Sequence, residues 1–267
     1  MDLGRAVSPP AAMAEPSPFP VAPRPFDGAS RHVDPGACFD WLRQGWALFL
    51  ADPGTWLACS LLTLLIGISP TLVPLVGGVA TNLLMPILSA GLLDQARRQS
   101  RGEDIDVGGL FNGFRHRTGE LVLLGVVFTV AIVAVVVVIG ILIGGGVAGG
   151  LFGASTGRPV VAGAGFGVVL GGLLLGGLLI SLALVPLTMA MWFAPALVYF
   201  NGMAPVAAMK ASFAACLANW LPFLVFSVIL TVLCFFATLP LGLGFLVLLP
   251  VFSGALYASY RDVFPTS

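Results

Sequence analysis

The sequence predicts an all-α integral membrane protein in which six transmembrane helices form three hairpins, each preceded by a short interfacial amphipathic helix. Three observations predict this fold class. Of the 267 residues, 58% are hydrophobic and only 9% are charged, whereas soluble domains carry about 25% charged residues. Long apolar runs recur along the chain, and the basic residues lie between alternate runs. This composition excludes a soluble enzyme, whose surface needs charge, and excludes disorder for most of the chain.

The N-terminal residues 1–33 differ from the remainder. Seven prolines between positions 9 and 25 alternate with Ala, Ser and a few charges, without a helical or strand period. We therefore expect a disordered Pro-rich tail at 1–33, followed by the membrane domain at 34–264. No apolar segment followed by a small-residue cleavage site is present, so no cleaved signal peptide is predicted and the tail is expected to stay in the cytoplasm.

The first hairpin is predicted to begin at Asp52–Pro53, because Asp is a preferred N-cap and Pro suits the first helical position. Its first run, residues 56–68, is broken by Ser, Pro and Thr at 69–74. Its second run, residues 75–93, ends at Asp94 and two arginines. Whether this short hairpin spans the bilayer or re-enters on one side stays open.

The second hairpin contains the strongest apolar run, 23 uncharged residues at 121–143. The middle of the glycine-rich stretch 144–167, near Arg158, is predicted to be the extracytoplasmic turn. The next run, 166–200, is too long for one straight span at about 1.5 Å per residue. We expect it to kink or end at Pro186 and Pro195 and to stop at Asn201–Gly202. The two runs of the third hairpin are residues 220–238 and 241–256.

The basic residues orient this six-span arrangement. Eleven of the twelve Lys and Arg residues fall on one side of it, and Arg158 alone falls on the other. Because cytoplasmic loops carry an excess of Lys and Arg, both termini are predicted to be cytoplasmic. The net charge is zero, so no basic excess attracts nucleic acid, and the lipid bilayer is the expected partner.

Each hairpin is preceded by a segment with an apolar face. In residues 37–50, Trp41 and Phe49 lie opposite Asp40 and Arg43 at helical spacing. Residues 107–114 and 204–217 repeat the pattern more weakly. Such helices can lie in the plane of the membrane interface. A lipid-sensing role and a simple lead into the next span remain equally open.

A shift of 164 residues superposes the first and third hairpins and predicts an internal repeat. The registered Trp, Pro, Ser and Arg residues carry this argument, since Leu identities are expected by chance. The matched residues are Phe49, Trp56, Leu57, Gly78, Pro86, Ser89, Leu92 and Arg97 with Phe213, Trp220, Leu221, Gly242, Pro250, Ser253, Leu256 and Arg261.

No metal, cofactor or catalytic residue is predicted. The four cysteines form no CxxC pair and no cluster with His32 or His116, so small apolar packing residues are expected. Prolines in the second helix of each hairpin could open a substrate cavity, although most membrane prolines are simple kinks. The candidate cavity-lining residues are Asn82, Pro86, Ser89, Pro186, Thr188, Pro250 and Ser253. The cysteines are Cys38, Cys59, Cys216 and Cys234.

Three segments carry a family resemblance. The strings PLTMAMWFAPALVYFNGMAPVAAMKASFAACLANWLPF at 186–223, LPVFSGALYASYRDVF at 249–264 and GWALFLADPGTW at 45–56 resemble an uncharacterised family of multi-pass inner-membrane proteins of proteobacteria. The resemblance implies an all-helical domain in a bacterial inner membrane and no established activity. More distantly, the chain is similar to the membrane domain of glycerophosphodiester phosphodiesterases, but it has no region long enough for their catalytic barrel.

The sequence therefore predicts a non-catalytic, membrane-embedded binding or scaffolding module with lipid as a candidate ligand. No predicted span interior carries an ionisable side chain, which disfavours proton-coupled transport and intramembrane hydrolysis. A transporter or channel component for a small uncharged or lipidic substrate is the alternative. A membrane enzyme would need convergent ionisable groups, for which Asp94, Arg97 and Arg261 are the candidates.

The predicted topology can be tested with single cysteines in a variant that lacks the native ones. Arg158→Cys should react with an impermeant maleimide added outside the cell, because this position lies in the extracytoplasmic turn. Arg101→Cys is the control and should react only after the membrane is opened. Reaction of the cysteine at 158 from the cytoplasmic side alone would show that the six-span topology is wrong.

Overall fold

A computed structural model describes residues 26–74, 76–155 and 159–265, with the side chains of 142–143, 145–154, 159–170 and 172–173 left outside the description. All regular secondary structure in these residues is helical. Most of the predicted tail, residues 1–25, and the predicted turn at Arg158 lie outside the described residues. The helices are α1 Ala37–Ala51, α2 Pro53–Ile68, α3 Val76–Ser100, α4 Thr118–Ser155, α5 Pro159–Trp192, α6 Ala194–Asn201, α7 Pro205–Ala218, α8 Trp220–Thr238 and α9 Phe245–Val263, with 3₁₀ helices at Ser69–Leu72 and Val107–Phe114.

Five helical segments of the described chain are long and apolar enough to cross a membrane. They are Pro53–Leu72, Val76–Ser100, Thr118–Ile141, Leu174–Asn201 and Trp220–Thr238. The sixth predicted run lies in α9, whose C-terminal half carries Tyr257, Tyr260 and Arg261 and is largely buried in protein. The fold therefore confirms an all-helical, multi-spanning chain but not six spans in three hairpins.

Local chemistry sets several helix ends where it was predicted to do so. Asp52 caps α2 by accepting a hydrogen bond from the Thr55 amide at 3.1 Å. The long fourth run breaks at Phe193, just before Pro195, whose ring suits the first turn of α6. Gly202 ends α6 with φ of +67°, a left-handed conformation that glycine adopts without steric cost.

The long fourth run was predicted to kink or end at Pro186. It does not end there, and Pro186 lies inside α5, as a proline within a membrane helix can. The described parts of the glycine-rich stretch are helical, since α4 ends at Ser155 and α5 begins at Pro159, and the turn predicted near Arg158 lies between them, outside the described residues. In lipid an unpaired backbone is costlier than the low helix propensity of glycine, which favours helix in the glycine-rich ends of α4 and α5.

Helix α1 packs directly on α9, backbone against backbone. Gly45 is buried, and a methyl group placed there would overlap the carbonyl oxygen of Val251. A methyl group at Gly254 would likewise lie 2.7 Å from the Cα of Gly45. Small residues allow this close approach of two helices. The apolar face of α1 therefore belongs to the protein core.

The three predicted amphipathic segments all form helices. The first two bury part of their apolar faces in protein, whereas Val206 and Leu217 of α7 are about half exposed. In α1, Trp41 is buried and stacks on Phe223 with ring centroids 5.3 Å apart. The 3₁₀ helix at 107–114 docks on α3 through buried Leu110. Phe39, Trp46 and Leu50 of α1 are 61%, 47% and 55% exposed and remain available to the membrane interface.

Polar contacts join residues 31–33 to Asn219, which precedes α8, and to Asp262 of α9. The Asn219 side chain accepts a hydrogen bond from the Val33 amide at 2.9 Å and donates one to the Arg31 carbonyl at 3.0 Å. Arg31 also forms an ion pair with Asp262, and the Trp41 indole donates to the same carboxylate at 3.1 Å. Residues near 31 are thereby fixed to the end of α9.

The outer surface of the long helices is strongly apolar. Val130, Ile141 and Leu182 are 62%, 69% and 68% exposed, and most of the described side chains near them on α4 and α5 are exposed or half-buried. Soluble monomeric proteins rarely expose so large a continuous apolar surface to water. Lipid is the solvent that suits it, and the chain is a helical membrane protein.

The α1–α9 contact yields a stability prediction. Gly45→Ala should lower the free energy of unfolding by about 1–3 kcal/mol, because the added methyl group overlaps backbone that cannot move cheaply. Gly140→Ala is the matched control, since a methyl group there meets nothing within 4 Å. It should be neutral or stabilising by up to about 1 kcal/mol. Thermal unfolding in one detergent measures both, and equal melting temperatures would contradict the prediction.

Candidate functional site

The seven predicted cavity-lining residues do not share one environment. Pro86, Pro250 and Ser253 are buried in the packed core, and Asn82 and Ser89 are half-buried on α3. Pro186 and Thr188 are exposed on α5. Of the seven, only Thr188 lines one of the cavities considered below.

The hydroxyl groups of this set are already engaged within their own helices. Ser89 and Thr188 donate to carbonyl oxygens three residues earlier, at 2.9 and 2.8 Å. Ser253 donates to the carbonyl four residues earlier at 2.8 Å. Their neighbours in the core are apolar side chains such as Leu88 and Val251. A role for these residues in a substrate cavity stays a prediction.

A polar cluster forms instead at the C-terminal end of α3, around a buried carboxylate. Asp94 is only 3% exposed. Its Oδ1 lies 2.5 Å from Nη2 of Arg97, one helical turn later, and its Oδ2 accepts a hydrogen bond from Nδ2 of Asn112 at 2.8 Å. A buried carboxylate needs such partners, because an unpaired buried charge is destabilising by several kcal/mol.

This cluster lines a cavity together with further basic residues. The cavity has a volume of about 470 Å³ and opens between α3, the 107–114 helix, the start of α4 and α6. Its rim is exposed and carries two arginines and a histidine. The lining residues are Asp94, Arg97, Asn112, Arg115, His116, Arg117 and Tyr199.

Two of these arginines are held in place by aromatic or backbone contacts. The guanidinium of Arg97 lies over the ring of Phe200, 4.7 Å from its centroid. Arg117 packs so closely on Gly202 that a side chain at 202 would overlap the guanidinium. Gly202 therefore serves both the left-handed end of α6 and the placement of Arg117.

Sequence reasoning found part of this cluster and missed the rest. Asp94 and Arg97 were named as convergent ionisable groups, and their i, i+3 spacing on one helix face brings them together. The predicted third member, Arg261, is exposed beside Tyr257 and lines other cavities. The Arg-His-Arg string at 115–117 was a visible signal, whereas Tyr199 is brought in only by packing.

An apolar groove forms a separate candidate site between α5, α7 and α8. Its volume is about 360 Å³. Trp192 lies in it with an indole Nε1 that is buried and has no hydrogen-bond partner among the described residues. Exposed Trp220 and Leu224 line its outer edge. The lining residues are Val185, Thr188, Met189, Trp192, Cys216, Trp220, Phe223, Leu224 and Ser227.

All four cysteines are free, and three of them are buried. Burial raises the pKa of the Cys38 thiol, and burial raises the pKa of the Cys216 thiol to about 12. A thiol that ionises so reluctantly is a poor nucleophile and metal ligand. Within the described chain, no group of three or more His, Cys, Asp or Glu residues is placed to hold a metal ion.

Comparison with known proteins gives one relative. The chain is 27% identical over 225 residues to a protein of Burkholderia thailandensis named "Probable inner membrane protein", a match that covers 82% of this chain and 79% of the relative. No protein-family model matches the chain, and no solved structure matches it. The relative and the apolar helices support a multi-pass helical protein of an inner membrane. The resemblance to glycerophosphodiester phosphodiesterases gains no support from these matches.

The raised thiol pKa predicts low reactivity at Cys216. An exposed thiol has a pKa of about 8.5, so it is substantially ionised near that pH, whereas Cys216 should remain protonated and unreactive toward iodoacetamide. The control is Lys210→Cys on the exposed side of the same helix. Mass spectrometry of the alkylated, folded protein measures both rates. Equal alkylation at 210 and 216 would show that Cys216 is not buried.

Proposed function

We propose that this protein is a non-catalytic, membrane-embedded lipid-binding module of the bacterial inner membrane. The observation that carries the proposal is the groove around Trp192. Its walls belong largely to the candidate spans Leu174–Asn201 and Trp220–Thr238, so lipid is the molecule that surrounds it. Apolar walls suit an acyl chain, and the indole N–H of Trp192, which has no acceptor in the described part of the chain, suits an ester carbonyl.

The proposal includes the six-span topology with both termini in the cytoplasm. Helix α9 would supply the sixth span, since its 19 residues are long enough to approach the thickness of the bilayer core. Its burial against α1 and α3 would shield the polar residues at its C-terminal end from lipid. An even number of spans then places the basic residues of the α3–α4 connection and of α9 on one side.

Polar residues of α1, α3 and α9 that line common cavities support the six-span topology. Ser100 at the end of α3, Gln44 of α1 and Arg261 of α9 line one cavity. Arg31 and Arg43 line another cavity with Arg261. Basic residues that precede α1 or lie in α1 and α9 are thus neighbours, as the positive-inside rule expects of segments on the cytoplasmic side.

A transporter or channel component remains the second candidate, and the buried Asp94 favours it. Ionisable residues in membrane helices often mark transport pathways. The apolar packing around Pro86 and Pro250 favours the binding module instead, because a transport pathway there would need a polar cavity.

The lipid-binding proposal is tested by filling the groove. Ser227→Trp places an indole in the groove, whereas Val228→Trp places the same bulk on a neighbouring face of α8. Native mass spectrometry of the full chain released from nanodiscs should show bound lipid lost in the first variant and retained in the second. Trp192→Phe should weaken lipid retention by about two- to tenfold, as expected for one hydrogen bond. Equal lipid retention in all three variants and the parent would refute the proposal.

A further inference from the structure

The basic cavity at the end of α3 carries an inference that is independent of the groove. We propose that this cavity binds a phosphate-type oxyanion, either as the headgroup of an anionic lipid or as free phosphate. The proposal rests on different residues and different chemistry from the lipid-binding groove, so either can fail alone.

The charge of the cavity favours an anion. Three guanidinium groups line it, from Arg97, Arg115 and Arg117, and Asp94 is the one carboxylate among its lining residues. Glu120 lies 3.7 Å from Arg117 and offsets part of its charge. The guanidinium groups still outnumber the carboxylates, and Arg115 has no ion-pair partner among the described residues. Guanidinium groups are well matched to phosphate oxygens, since they donate hydrogen bonds in a planar fork.

Asp94 holds Arg97 in place at the cavity wall and is not available to bind a cation. Its two oxygens are occupied by Arg97 and Asn112, and the side chain is only 5% exposed. Arg97 still has a third of its side-chain surface exposed. The pair therefore holds a guanidinium at the cavity wall with part of its surface free to meet an oxyanion.

The edge of the cavity lies beside the N-terminus of α4, and this position also favours an anion. Arg117 immediately precedes α4, a helix of 38 residues that begins at Thr118. The first amides of a helix have no intrahelical acceptor, and its dipole favours negative charge at this end. Arg115, His116 and Arg117 thus surround the start of a long helix with exposed donors. An oxyanion seated there would contact side chains from the α3–α4 connection and face Tyr199 of α6.

Two binding measurements on the full chain test the proposal and distinguish free phosphate from a lipid headgroup. In nanodiscs of phosphatidylcholine, inorganic phosphate should raise the melting temperature more than chloride at equal ionic strength if free phosphate is the ligand. In nanodiscs that also contain phosphatidic acid, native mass spectrometry should show this lipid retained in preference to phosphatidylcholine if a headgroup is the ligand. Either result supports the proposal, and the absence of both overturns it.

The matched variants are Arg115→Gln and Arg101→Gln. Both remove one exposed positive charge from the α3–α4 connection, but only Arg115 lines the cavity. Arg115→Gln should weaken binding of the anion by about tenfold, whereas Arg101→Gln should change it by less than about twofold. Equal weakening would mean that the anion senses only the overall charge of the loop, and would overturn the proposal. Groove lipid, measured in the same spectra, should be unchanged by either variant.

Discussion

Lipid tails offer no hydrogen bonds, so a chain with apolar helices at its surface has to pair its polar groups internally. This constraint explains the polar contacts seen here. Serine and threonine hydroxyls donate to carbonyls of their own helices, as at Thr63 and Thr129. The indole of Trp56 donates to Gln99 at 2.8 Å and so ties the start of α2 to the end of α3. The exceptions, such as the indole of Trp192, which has no hydrogen-bond partner among the described residues, are therefore informative about ligands.

The same constraint explains why the carboxylates near the ends of α3 and α9 have partners within the protein. Asp94 can be buried because Arg97 and Asn112 satisfy it, and Asp262 is held by Arg31 and Trp41. Burying such pairs is seldom a net gain in stability, since desolvation offsets the attraction between the charges. A buried carboxylate that orients an arginine beside an open basic cavity is the observation behind the proposed anion site. The proposed lipid groove and the proposed anion site differ in chemistry, since one is lined by apolar side chains and the other by guanidinium groups.

The predicted internal repeat helps to show how similar segments diverge. Under the shift of 164 residues, α7, α8 and α9 follow one another as α1, α2 and α3 do. Yet Trp56 is buried and hydrogen-bonded, whereas its counterpart Trp220 is 59% exposed at the groove. Arg97 pairs with a buried carboxylate, while its counterpart Arg261 is exposed. The repeat stays a prediction, and neighbouring elements decide what each residue does.

The sequence by itself determined the membrane class, the helical content and several helix ends, because each follows from composition or from contacts within a few residues. Asp52, Pro195 and Gly202 illustrate this local control. Only the tertiary structure decided that α1 buries Trp41 and that Asn112 and Tyr199 join Asp94. Amphipathic spacing predicts that one face of a helix is apolar, but such a face can be buried either in lipid or against protein. Contacts between different helices, such as that of Trp41 with Phe223, depend on helix packing, which no local pattern encodes.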